Sequence, residues 1–388
     1  MRRAPLRIDR RRFVAGAAGL PVACGLALPA GGAFAAGGDR LRVGLVGCGG
    51  RGTGAALHAL GAARGVSLVA MADAFADQID SSAALLAARA GAAFDCPPER
   101  RFAGPDAWRE VVAADVDVVI LATPPALRPL QAAAAVGAGR HVWCETPGAV
   151  DVAGVAILAA AGAAAAAAGL CFASGLALRH DAATAAVVDR IRDGAAGRPL
   201  AVTTRADLGL PWFRPALPGW TAAEFELRNW ISHPRWSGGH LVERHVAAID
   251  KALWVLGDAD PVAAIPDTRS AGFHLAFADG RRIDASCHRR LGGTGIVAER
   301  VRCEDGTCDL RRPTAAPYGD RHPLQVAMTR LVEAVRSGRR LDDSGPLSRA
   351  TLAAVAGRMA LEAGTAVAWG RLHVGTPSPP RPLQSFHS

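Results

Sequence analysis

The residues with the clearest chemistry come early: an apolar run, Leu41 to Val46, leads into Gly47-x-Gly49-x-x-Gly52 and then an Ala/Leu-rich stretch. Such a turn brings backbone amides against a pyrophosphate and lets a helix pack closely on its strand. A second apolar run, Val66 to Ala72, ends in Asp73, 21 residues beyond Gly52. A carboxylate there accepts hydrogen bonds from adenosine ribose hydroxyls, which favours NAD over NADP; a helix N-cap before Ala74 is the compatible alternative. A second concentration of reactive groups comprises His240, Glu243, His245 and Asp250. On a helix, Glu243, Ala247 and Asp250 stand at i, i+4 and i+7 and share one face. His245 points elsewhere unless residues 243 to 245 are still loop. As a metal cluster the group lacks helical H-x-x-x-H spacing and a cysteine, so no metal site is expected.

These residues need elements to hold them. Asp106 reads as a helix cap, Val116 to Thr123 as a buried strand, a helix follows Pro129, and His141 to Cys144 and Leu170 to Gly175 flank an alanine-rich helix. Strands alternating with helices mean a parallel, doubly wound sheet. Cofactor then lies along the carboxyl ends of the strands, with Thr123-Pro124-Pro125 and Glu145-Thr146-Pro147 at the nicotinamide end. After Arg179-His180 the pattern changes. A helix over 181–193 precedes strand-like segments near 199–207, 262–268, 272–279, 281–289 and 296–303. Between them, Trp212, Trp220, Trp230 and Trp236 fall in a Pro/Gly-rich connection, where they either stack on sugar rings or anchor a long loop to a core.

Glycine turn, Ala122-Thr123-Pro124-Pro125, Cys144-Glu145-Thr146-Pro147, Ser237-Gly238-Gly239 before Glu243, Asp250 and Trp254, and Gly357-Arg358-Met359-Ala360 occur in an order that resembles the Gfo/Idh/MocA oxidoreductases. That family includes glucose-fructose oxidoreductase and inositol dehydrogenases, and the likeness runs over nearly the whole chain after the leader. It implies an α/β fold: an N-terminal Rossmann doubly wound parallel sheet plus a C-terminal α+β domain with an open, mainly antiparallel sheet. The expected boundaries are 39–175 for the NAD-binding domain and 176–375 for the substrate and oligomerisation domain, with a tail over 376–388. Helices within 324–363 are free to pack back on the first domain. The resemblance implies NAD as cofactor, held by Gly47, Gly49, Gly52, Asp73, Thr123, Pro124 and Glu145. It also implies a lysine in Glu-Lys-Pro and a histidine in Asp-x-x-x-His as the acid-base pair. Here Thr146 and Ala247 stand in those places, so simple oxidation of free sugars is expected to be slow. Glu243, His245, Asp250, Glu145 and His180 remain as candidate catalytic groups, and Arg179, Trp230 and Trp236 as substrate contacts.

The 388 residues, 50% of them hydrophobic, suffice for two cores. The net charge of +9 is scattered, Arg-rich and without interleaved aromatics, so no nucleic-acid partner is expected; Lys251 is the only lysine. Nothing after the N-terminus reads as a membrane span. Residues 1–38, with Asp9-Arg10-Arg11-Arg12-Phe13-Val14, an apolar stretch and Ala33-Phe34-Ala35, resemble a twin-arginine export signal, implying passage through that machinery to a periplasmic or extracellular site. Cys24 as a lipid anchor is the lesser alternative, because Pro21 sits where an aliphatic residue belongs. Cys303 and Cys308 flank Asp305-Gly306, and a tight turn centred there would bring the two thiols together as a disulfide. Three functions stay open: a nicotinamide-dependent oxidoreductase of a sugar, polyol or glycoside with retained NAD(H); a redox-neutral NAD-dependent glycosidase; and a non-catalytic nucleotide- or sugar-binding protein. The family's open sheets commonly pair, implying a homo-dimer or larger homo-oligomer.

Overall fold

The computed structural model describes residues 40–293, 295–311 and 322–373; the leader, with Cys24, and the 376–388 tail lie outside the described residues. The first domain is built from β1 (Leu41–Val46), α1 (Gly50–Leu60), β2 (Val66–Asp73), α2 (Ala76–Ala90), β3 (Arg101–Ala103), α3 (Trp108–Ala113), β4 (Val118–Leu121), α4 (Arg128–Gly137), β5 (His141–Cys144), α5 (Val152–Ala167) and β6 (Phe172–Ser174). The strands are parallel in the order β3-β2-β1-β4-β5-β6. Chain order reverses between β1 and β4, and ligands of such sheets bind in the crevice beyond that switch point. Continuous apolar strands such as Val118–Leu121, buried at every position, fit a sheet covered on both faces. The alanine helix α5 starts where Asp151 accepts a hydrogen bond from Gly154 N–H at 2.7 Å. Its Gly162 is a packing residue, since a Cβ there would stand 2.1 Å from Ser344 Oγ.

The second domain runs through α6 (Ala182–Arg192), β7 (Pro199–Leu208), α7 (Ala222–Arg228), α8 (Pro234–Ser237), α9 (Gly239–Val255), β8 (Ala263–Asp267), β9 (Gly272–Ala276), β10 (Arg282–Arg289), β11 (Gly295–Cys303) and β12 (Thr307–Asp309). Its sheet has the order β12-β11-β7-β10-β9-β8-β13, where β13 is Val367–Ala368, and every pairing but β7 with β10 is antiparallel. Helix α9 packs on one face of this sheet, and Lys251 is buried there in an ion pair with Glu299 at 2.5 Å. The chain then returns to the first domain. Helix α10 (Pro323–Ser337) lays Ala327, Met328, Leu331, Val332 and Val335 into the core that contains Leu41, Val43 and Leu45 of β1. Helix α11 (Ser344–Ala363) joins the second core, with its Gly357 pressed on the Phe273 ring.

Two local expectations fail for visible reasons. Helix α3 starts at Trp108 after Ala107, and Asp106 reaches only Arg109, as a loose ion pair, instead of capping the helix. The hairpin between β11 and β12 turns on Glu304-Asp305, closed by Cys303 N–H donating to Gly306 C=O at 2.7 Å, one residue earlier than an Asp-Gly centre. Glu304 and Asp305 N–H donate to Arg198 and Ala196 C=O and hold it there. Cys308 therefore pairs with Val301, leaving Cys303 diagonal to it on the same face, and both are free thiols.

Candidate functional site

At the carboxyl end of β1 the three glycines do different work. Gly47 has φ +96°, and a Cβ on it would meet the Ala122 and Thr123 backbone at 2.7 Å; one on Gly52 would stand 1.8 Å from Gly47 C=O. Those two glycines are demanded by the chain itself. Gly49 is different: a Cβ there meets nothing within 4 Å, because this residue looks into a cleft of about 400 Å³. The cleft straddles the switch point and is lined by Gly47, Gly49, Arg51 and Asp73 at the turn and by Thr123 and Pro124 beyond β4. Asp73 accepts hydrogen bonds from Cys48 N–H at 2.7 Å and Phe75 N–H at 3.0 Å, so its carboxylate bends the turn back while still facing the cleft. Helix α2 starts two residues later than an Asp73 cap would have it, with Phe75 at the N-cap. Burial raises the Asp73 pKa and the two backbone N–H bonds lower it again. Open space at Gly49, amides at a helix N-terminus and an Asp at the ribose position together fit a dinucleotide.

Beyond β5, the Glu145-Thr146-Pro147 turn is held from below. Glu145 is buried, accepts from Trp143 Nε1 at 2.8 Å and pairs with Arg51 Nε of the glycine turn at 2.9 Å. Arg128, also buried, donates to Thr123 C=O at 2.7 Å, Glu145 C=O at 3.0 Å and Pro147 C=O at 2.6 Å, tying together the loops after β4 and β5. Neither Arg51 nor Arg128 stood out in the sequence, because Arg51 acts through Glu145, far along the chain, and Arg128 through backbone carbonyls that no side-chain pattern marks. Thr146 is the one half-exposed residue between Val142 and Ala149. On α9, His240, Glu243, Ala247 and Trp254 are half-exposed at helical spacing, a stripe in a helix otherwise buried apart from Gly239 and Arg244. Glu243 lies close enough to Arg128 to feel its charge; burial is the main influence and raises its pKa. Its Oε2 has no hydrogen-bond partner among the described residues, and Arg244 Nε stands 3.8 Å away. A desolvated carboxylate with an unused oxygen is equipped to take a proton.

The other expected catalytic groups lie elsewhere. His245 is 1% exposed, with Nε2 at 3.4 Å from Thr204 Oγ1, and burial pushes it down to about 4; α9 already includes it, so it points into the sheet as a neutral ring. Asp250 and Arg179 are consumed by each other. Arg179 Nε, Nη1 and Nη2 donate to Asp250 and Asp258 at 2.6 to 3.1 Å, and its guanidinium stands 5.5 Å from the Trp254 ring centre, leaving it no free fork for substrate. His180, pushed down to about 4 by burial, accepts from Arg330 Nη1 at 3.1 Å on the side of α10. His240 Nε2 bonds Cys287 C=O at 2.9 Å, and no group of three metal-ligating side chains occurs among the described residues. Trp230 lines the cleft that holds Gly49 and Asp73, whereas Trp236 is half-buried and its Nε1 has no hydrogen-bond partner among the described residues.

Residues 41–173 match the oxidoreductase family with an NAD-binding Rossmann fold, Gfo/Idh/MocA. A 1,5-anhydro-D-fructose reductase of Ensifer adhaerens is 34% identical over 158 residues, 41% of this chain and 43% of that relative's length. Among solved structures, myo-inositol 2-dehydrogenase of Lactobacillus plantarum superposes with a TM-score of 0.62 at 18% identity, covering 85% of this chain and 99% of its own. The WlbA dehydrogenase of Bordetella pertussis, in complex with NADH and UDP-GlcNAcA, gives 0.63 at 20% identity over 85% and 97%. Aldose-aldose oxidoreductase of Caulobacter crescentus, complexed with glycerol, gives 0.58 at 20% over 85% and 99%. At such identities these structures speak to the fold, which they share across both domains. Residues 41–173, the first domain, are thus similar to the NAD-binding Rossmann domain of the Gfo/Idh/MocA oxidoreductases.

Proposed function

We propose that the chain is an NAD-dependent oxidoreductase of a sugar, polyol or glycoside that works with retained NAD(H), with Glu243 as proton acceptor. The observation that carries this reading is the buried carboxylate oxygen of Glu243, which has no hydrogen-bond partner among the described residues, only Arg244 Nε at 3.8 Å, and which feels the charge of Arg128, the residue that braces the Glu145-Thr146-Pro147 turn at the nicotinamide end. When bound there, the cofactor supplies the hydride acceptor and donor. The chain's own share is to orient the carbinol carbon and take the hydroxyl proton on Glu243. Arg51 and Arg128 keep the two flanking turns in register. A reductase of 1,5-anhydro-D-fructose and an inositol dehydrogenase among the similar proteins support a polyhydroxylated substrate. Export by the twin-arginine route belongs to the same proposal, since that route carries folded, cofactor-loaded proteins and ends where no free NAD pool is expected. A redox-neutral glycosidase would use the same groups and equally suits that location.

The test is to denature the purified protein, identify any released nucleotide, and assay a panel of sugars, polyols and glycosides with and without added NAD. Turnover with a free sugar or polyol supports the oxidoreductase, turnover only of glycosides the redox-neutral reading, and a nucleotide-free, inactive protein overturns both. Two substitutions sharpen it. Asp73→Asn is expected to weaken NADH binding by roughly ten- to a hundredfold, as hydrogen bonds to charged groups are worth about 1.5–3 kcal/mol; unchanged affinity in a fluorescence titration would refute the ribose assignment. Thr146→Lys combined with Ala247→His is expected to raise oxidation of free polyols by about 10² or more. If neither single nor double variant moves the rate, those positions are not the acid-base pair's.

A further inference from the structure

The segment joining β7 to α9 crosses the dinucleotide cleft and is tied down at two points, Arg228 and Trp236. At the β2 end Arg228, its side chain only 9% exposed, donates to both oxygens of Asp77 at 2.8 and 2.9 Å and to Glu224 Oε1 at 2.8 Å. Its guanidinium carbon stands 3.8 Å from the Phe75 ring centre and 4.6 Å from that of Trp220. Asp77 and Phe75 lie just past Asp73, so this anchor sits beside the adenosine position. At the β4 end, Ala126 N–H donates to Trp236 C=O at 3.2 Å. Trp212, Arg214, Leu227 and Arg228 itself, with Trp230 between the two anchors, line the same cleft as Asp73 and Gly49. Trp212 and Trp230 meet edge to face with ring centres 6.4 Å apart, and Arg214 stands 5.7 Å over Trp212. Asn229, 1% exposed, fixes this arrangement: its Oδ1 accepts from Arg214 N–H at 2.8 Å and its Nδ2 donates to Arg214 C=O at 3.0 Å.

From this geometry we infer that Trp212 and Trp230, with Arg214 and Arg228, form the outer wall of the adenosine pocket, so that the adenine is bound between the two domains. Aromatic faces bind bases by stacking without reading their edges, and Arg214 adds positive charge for the pyrophosphate. The dinucleotide is then released only when the strap lifts, and cofactor exchange is slow. This rests on the cleft being an NAD site, as proposed above. Slow exchange is what a protein that recycles one cofactor needs.

The test uses the full chain loaded with NADH, chased with excess NAD+ while nicotinamide fluorescence reports release. Trp212→Ala with Trp230→Ala is expected to speed release roughly tenfold or more. Asp77→Asn, an exposed change that loosens the Arg228 anchor without disturbing packing, is expected to speed it severalfold and covers the case of a double variant that does not fold. Gly49→Val, whose Cβ would meet nothing within 4 Å where the residue faces the open cleft, is the control for the site and should abolish NADH binding. If the wild type binds no NADH, or Gly49→Val binds it normally, the NAD reading of the cleft falls and the strap's role with it. If wild type binds and Gly49→Val does not, yet the strap variants release NADH at the wild-type rate, the strap's role alone is overturned.

Discussion

Glu243→Gln is expected to slow hydride transfer about 10²- to 10⁴-fold, the usual worth of a positioned general base. NADH affinity should stay near wild type, because Glu243 is not among the residues lining the dinucleotide cleft. The replacement is nearly isosteric. The pH profile separates this role from a merely structural one. Burial raises the Glu243 pKa, and a base works only when ionised, so oxidation by the wild type should fall as pH drops through a value above the ordinary glutamate range. That acid limb should vanish in the residual activity of the glutamine variant. Equal activity of the two proteins, or an unchanged acid limb, would remove Glu243 from the chemistry and return the search to the other groups on the α9 stripe.

Arg179→Ala should destabilise the chain by about 3–5 kcal/mol, the cost of leaving a buried partner charge uncompensated. Asp250 is 1% exposed and its carboxylate is held by that guanidinium. Burial pushes Asp250 up to about 6 even with Arg179 pulling it back. A carboxyl whose folded-state pKa exceeds its unfolded value costs stability as pH rises between the two, and removing Arg179 moves the upper value higher still. The urea midpoint of the variant should therefore trail the wild type most at neutral pH and recover toward it in acid, where Asp250 takes up a proton. Asp250→Asn in the Arg179→Ala background should recover part of the loss at pH 7. A deficit that does not depend on pH would mean that lost packing over Trp254, and not the orphaned charge, sets the cost.

The nucleotide half of the molecule was legible because its signals are local. Strand, glycine turn, helix and the Asp at the end of β2 fall within residues 41–73, and the fold class of the second domain followed from its strand-like segments and the family's pattern. What stayed hidden was set by contacts between distant residues. Arg179 and Asp250 each read as a site group until the fold placed them against one another, and His245 turned inward once α9 proved to start at Gly239. Trp230 advertises an aromatic contact in sequence but not whether the ring meets sugar or nucleotide; that depends on Arg228 reaching Asp77, 151 residues away. The Cys303 hairpin slipped by one residue because hydrogen bonds to Ala196 and Arg198, outside the hairpin, chose the turn.

The central claim, that a nicotinamide held in this cleft exchanges hydride with a polyhydroxylated substrate, is tested most directly by isotope transfer. The full chain with its bound NAD is incubated with carbon-deuterated sugars, polyols and glycosides, and the released nucleotide is weighed by mass spectrometry. Deuterium on the nicotinamide, at up to one per chain and absent from Glu243→Gln on the same timescale, is the predicted result. A bound cofactor that remains unlabelled with every substrate class would contradict it.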